Sequence, residues 1–132
     1  MSKYIDATAI TQVIGSVYNN PTLLDYTDKY KIREEDFPSD FHKIAFGAIY
    51  KLYEQNVREI SLENIFDFLN TRPKSLAIFK ANKGEEWFLQ ASKNASAPSF
   101  DYYYNRLKKL TLLRAYDEIG LDVSDLNSIR TG

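Results

Sequence analysis

Apolar positions recur at helical spacing along almost the whole chain. In "DATAITQVIGSVYNN", Ile10, Val13, Ile14, Val17 and Tyr18 fall at i, i+3, i+4, i+7 and i+8, one face of an amphipathic helix. Asp6 or Thr8 can cap its start. Asn20-Pro21 reads as a cap followed by proline in a first turn, opening a short helix with Leu23 and Leu24 inward. "SDFHKIAFGAIYKLYEQN" carries Phe41, Ile44, Ala45, Ala48 and Leu52 on one face, broadened by Phe46, Ile49 and Tyr53. A stripe that wide predicts a helix at the centre of the domain, capped by Ser39 and stopped near Asn56.

Ser61 caps the next pattern, "SLENIFDFLNTR", with Leu62, Ile65, Phe66 and Leu69 inward and Pro73 closing it. "KSLAIFKAN" predicts one or two further turns before Gly84, and "EEWFLQASKN" a short helix with Trp87, Phe88 and Ala91 on its apolar side. "ASAPSF" breaks the chain, and Ser99 stands where the last helix needs its cap. No stretch alternates as a strand does, so the predicted fold class is all-α.

Two stripes run along the last helix. Phe100, Tyr103, Leu107 and Leu110, spaced 3, 4 and 3, predict the packing of this helix on the preceding ones. Leu112, Tyr116, Ile119, Val123 and Leu126, spaced 4, 3, 4 and 3, form a heptad-like seam that predicts pairing with another helix. The seam requires the helix to run through Gly120, at about 1 kcal/mol relative to alanine. The alternative is a break at Gly120, with "LDVSDL" folding back onto the head. The expected organisation is a helical head over residues 1–98, an arm over 99–127, and the start of a loop, or the end of the sequence, at 128–132.

Composition narrows the function classes. A chain of 132 residues with 44% hydrophobic and 27% charged positions supports one domain with its own core. Zero cysteines exclude a disulfide framework and a thiolate metal site. The formal net charge of -1 lacks the basic excess of a protein built to neutralise phosphates. No apolar run approaches a membrane span, and "MSKYIDATAI" lacks the features of a signal peptide, which predicts a soluble, cytoplasmic protein.

Candidate chemistry is sparse. Neither a P-loop nor a G-x-G-x-x-G fingerprint is present. His42, the one histidine, reads as a partly buried residue of a first helical turn, without nearby partners for catalysis or ligation. Glu34, Glu35 and Asp36 read as a solvated turn before a helix start, since three adjacent acids converge on a cation only from an ordered loop. Tyr102, Tyr103 and Tyr104 precede Arg106, Lys108 and Lys109, but successive helical positions diverge by roughly 100° and cannot form one stacking surface. Tyr103 is expected to face the head, with Tyr102 and Tyr104 flanking it and Lys108 and Lys109 forming a solvated edge.

Taken in order, four segments resemble the N-terminal domain of DnaB-type hexameric replicative helicases. They are "AITQVIGSVYNNPTLLD", "EDFPSDFHKIAFGAIYKL" with Asp36, Phe37 and His42 in place, "ISLENIF", and "GEEWFLQASKNASAPSFDYYYNRLKKLTLLR". Together they cover about residues 8 to 126. Asn64 and Ile65 replace a frequent threonine-leucine pair, Trp87 a usual tyrosine, and Phe100 a small polar residue. These departures suggest a divergent, phage-type member.

The resemblance implies a compact head followed by a helical hairpin, whose first arm would be the last helix here. It implies pairing of subunits into dimers and then a hexameric collar, with primase and a helicase loader as partners. It also implies that the domain is non-catalytic, with ATP and Mg bound by a motor domain absent from these 132 residues, and that DNA is handled elsewhere. Two other readings compete. The helicase-binding domain of a primase has a similar architecture, although it is C-terminal there. A small single-strand-binding module could use Tyr102 to Tyr104 with Arg106, Lys108, Lys109 and Arg114.

Overall fold

The computed structural model describes residues 4–120. Within them lie six α-helices: α1 (Ala7–Asn19), α2 (Asp40–Glu54), α3 (Leu62–Leu69), α4 (Pro73–Ala81), α5 (Gly84–Asn94) and α6 (Phe100–Glu118). Three 3-10 turns, Pro21–Asp25, Glu34–Asp36 and Ala97–Ser99, join them, and no strand occurs among the described residues.

Local chemistry explains most boundaries. Asp6 caps α1 by accepting from the Ala9 N–H at 3.1 Å, and Ser39 and Ser61 cap α2 and α3 in the same way. At Ser61 the Asn64 side chain returns the bond to the Ser61 N–H at 3.0 Å, closing a capping box. Asn56 ends α2 in the left-handed conformation, φ 69°, letting the Val57 N–H reach the Leu52 carbonyl at 3.0 Å. Two sequence expectations change. Ser99 makes no side-chain cap bond, and Pro73 occupies the first turn of α4.

Helix α1 lies at the centre, packed against α5, α6 and α2, while α2 also holds α3 and α4. Val13, Ile14 and Val17 of α1 meet Ala45 and Ile49 of α2, Ile65 and Leu69 of α3, and Phe79 and Phe88 in one continuous core. Gly15 sets the approach of α1 to α5: a Cβ there would overlap the Ala91 carbonyl and stand 2.8 Å from its carbon. Gln12 ties the same pair of helices, donating to the Asn94 carbonyl at 2.8 Å and accepting from the Ser96 N–H at 2.9 Å. These two bonds satisfy groups that the end of α5 would otherwise leave unpaired.

The join between α4 and α5 is equally constrained. Lys83 is left-handed, φ 53°, and the Phe79 ring occupies the space that a side chain at Gly84 would need. Phe79 is fully buried and meets Phe66 edge-on, with centroids 5.4 Å apart. Trp87, on the apolar side of α5 as the pattern predicts, is partly buried against the core beside Phe41 and His42.

Candidate pairing surface on the last helix

Helix α6 has two unlike faces. Phe100, Tyr104 and Leu107 enter the main core, while Leu110 and Leu113 pack with Tyr4 and Tyr116 in a second, smaller cluster. Tyr104, rather than Tyr103, is therefore the inward tyrosine of the triplet. Its ring stands edge-on to Tyr30 with centroids 5.1 Å apart, and its hydroxyl accepts from the Lys31 N–H at 2.8 Å. Tyr103 is half-buried at the edge of the core, and Tyr102 is exposed.

A line of polar contacts fastens α6 to the segment before α2. Asp101 bonds the Tyr30 hydroxyl and pairs with Lys29 at 3.5 Å. Lys108 donates to the Lys31 carbonyl at 2.8 Å and to both oxygens of Asp36 at 3.1 and 3.0 Å. Thr111 donates to Asp36 Oδ1 at 2.7 Å, and the Arg33 N–H to Asp36 Oδ2 at 2.8 Å. Arg114 reaches the Tyr4 carbonyl at 2.8 Å and the Glu35 carbonyl at 3.1 Å. Burial pushes its guanidinium below the usual value, against the pull of Asp36 and Glu118. Arg106 pairs at 3.2 Å with Asp6, the residue that caps α1.

Asp36 is fully buried, which overturns its reading as part of a solvated turn. A carboxylate withdrawn from water is costly unless charge and donors surround it, and here Lys108, Thr111 and the Arg33 amide do so. Lys108 is correspondingly an anchor rather than a solvated edge.

Exposed apolar positions stand away from these contacts. Leu112 and Ile119 are 52% and 71% exposed, and with exposed Ala115 they form a stripe on the distal half of α6. Tyr116, in the same stripe, is half-buried against the second cluster. The helix ends at Glu118, and Gly120 takes φ +87°. The expected continuation through Gly120 is thus replaced by a glycine in the left-handed conformation that commonly terminates helices. Val123 and Leu126 of the expected seam lie outside the described residues.

A groove of about 680 Å³ opens between α1, the start of α2 and the end of α6. Ile5, Ile10, Phe37 and Pro38 line it, with His42, Lys43, Arg114 and Glu118 around them. His42 Nδ1 lies 2.8 Å from the Ser39 hydroxyl, and burial pushes its imidazole below the ordinary value of 6.5. No group of three or more His, Asp or Glu among the described residues could hold a metal ion. None of the described helices is long and apolar enough to cross a membrane.

The architecture, with a helical head bound to one long final helix, can now be set beside known proteins. The DnaB-like helicase N terminal domain family matches residues 5–109. The chain belongs to that family. It is also 40% identical over 121 residues to the SPbeta prophage-derived uncharacterized protein YorI of Bacillus subtilis (strain 168). That match takes in 92% of this chain and 24% of the relative, so the chain spans about a quarter of the relative's length. The relative's prophage origin agrees with the expectation of a phage-type member. No solved structure matches the chain. Within this DnaB-type N-terminal domain, the family match ends at residue 109, inside α6. The open stripe of Leu112, Ala115 and Ile119 lies beyond it.

Proposed function

We propose that this domain pairs helicase subunits through the outer face of α6 and offers its head to a primase or a helicase loader. The observation that supports the reading is the division of α6 itself. One side is fixed to the head by Tyr104, Lys108 and Thr111, while Leu112 and Ile119 stand in solvent on the other. Two aliphatic side chains seven residues apart suit a helix pair, and a second copy of the face would cover them. A contact of this size supports association of roughly micromolar strength or weaker, because ordering costs offset much of the buried area. In a hexamer the other domains would hold the copies close and strengthen it.

The groove between Ile10, Phe37, His42 and Arg114 is the surface we assign to the docking partner, since it shares no residue with the pairing face. ATP and Mg would act in the remainder of the parent helicase. Light scattering over a hundredfold range of concentration, about two decades, tests the pairing. The apparent mass should climb above 15.3 kDa as concentration rises. A mass fixed at 15.3 kDa throughout would contradict the reading.

A further inference from the structure

Gly47 sits in the middle of α2, where glycine weakens a helix relative to alanine. The two other helical glycines have steric reasons: Gly15 meets the Ala91 backbone and Gly84 the Phe79 ring. At Gly47 an added Cβ would meet nothing within 4 Å. The described fold gives this glycine no task.

Its neighbours supply one. Lys43, Gly47, Tyr50 and Glu54 are spaced 4, 3 and 4, and at about 100° per residue they fall within roughly 60° of arc. This is a narrow stripe on the side of α2 turned away from the core. Tyr50 is 41% exposed, with its ring stacked on Phe46 at a centroid distance of 6.1 Å. Lys43 makes no ion pair among the described residues. Glu54 meets Lys51 at 3.4 Å, an exposed pair of the weak kind that readily exchanges.

The stripe is complementary to itself. The midpoint of positions 43 and 54 coincides with the midpoint of 47 and 50. A second copy of α2, antiparallel about a two-fold axis at that midpoint, sets Lys43 against Glu54 at both ends. The same operation seats each Tyr50 ring over the bare backbone at the other copy's Gly47.

We infer that this face of α2 is a second contact between copies of the chain, built as an antiparallel helix pair with Tyr50 over Gly47 and Lys43 against Glu54. The contact is separate from α6 and does not rest on the pairing proposed there. A glycine that lets two helices approach closely, between a tyrosine and two charge pairs, accounts for its place in α2.

The absence of cysteine from the sequence makes the test direct. Lys43→Cys and Glu54→Cys are prepared separately, one carrying a mass tag, and oxidised alone and mixed. In the antiparallel pair, position 43 faces 54, whereas the two copies of 43 stand about 16 Å apart along the axis at 1.5 Å per residue. The mixed disulfide should therefore form at least about tenfold faster than either homodimer. Adding Gly47→Leu to both should slow the mixed product about tenfold while raising the melting temperature, because a Cβ at this position meets nothing within 4 Å in the single copy and leucine favours a helix over glycine. Mixed and like dimers forming at equal rates would overturn the inference, as would a cross-link indifferent to Gly47→Leu. The cross-link at 43 and 54 reports on α2 alone, so its failure is distinguishable from a failure of the α6 pairing.

Discussion

The Lys108 ammonium stands 3.0 Å from a carboxylate oxygen of Asp36, a side chain with no exposure to solvent. The pair joins residues 72 positions apart and holds α6 to the turn before α2. Replacing Lys108 with methionine leaves the acid buried and short of its cation, which should cost about 3–5 kcal/mol. Adding Asp36→Asn should recover part of that loss, because the uncompensated charge disappears. Urea unfolding of the single and double variants measures both effects. A loss below about 1 kcal/mol for Lys108→Met would mean that the pair behaves as a surface contact.

Two glycines in similar helices should respond with opposite signs. Gly15→Ala pushes a methyl into the Ala91 carbonyl and should destabilise by about 1–3 kcal/mol. Gly47→Ala meets open space and should stabilise by about 0.5–1 kcal/mol. Thermal unfolding at a concentration low enough to keep the chain monomeric distinguishes the signs.

The same contrast separates what was legible in the sequence from what was not. The α1 stripe from Ile10 to Val17 and the caps at Ser39 and Ser61 are local patterns, and the fold keeps them. The choice between Tyr103 and Tyr104 is not local. Both fit a helical repeat after Phe100, and Tyr30 together with the Lys31 amide selects Tyr104. Asp36 looked solvated because its compensation comes from Lys108 and Thr111, far along the chain. At Gly120 the sequence leaves two readings open, because the heptad spacing continues past a residue that also ends helices; the left-handed φ goes with the end of the helix. Leu113, absent from either predicted stripe, is buried because Tyr4 reaches it from the chain's beginning.

The inward phase of the tyrosines has its own test. Tyr104→Phe removes the acceptor of the Lys31 N–H and should cost about 1 kcal/mol. Tyr103→Phe should lie within about 0.5 kcal/mol of the unaltered chain. Equal losses in denaturant unfolding would contradict the assignment of Tyr104 to the inner face.

His42 predicts a pH dependence of stability. Burial favours its neutral form in the fold, so the unfolded chain binds more protons once the pH drops below the ordinary imidazole value of 6.5. Stability should therefore fall as the pH is lowered from about 7 toward 5, and His42→Gln should flatten that slope. An unchanged slope in the variant, read from urea midpoints across that range, would remove His42 as its source.

The pairing claim depends on α6 being held by one face while the other is free to meet a second copy. Sedimentation equilibrium on the unaltered chain, Leu112→Asp and Gln90→Asp tests it most directly, since Leu112 and Gln90 are both exposed but on different helices. Leu112→Asp should weaken self-association by about a hundredfold or more, because a charge would enter the seam. Gln90→Asp should leave self-association unchanged, and all three chains should keep the same helix content. Association that survives Leu112→Asp intact, or falls equally in both variants, would contradict pairing through the outer face of α6.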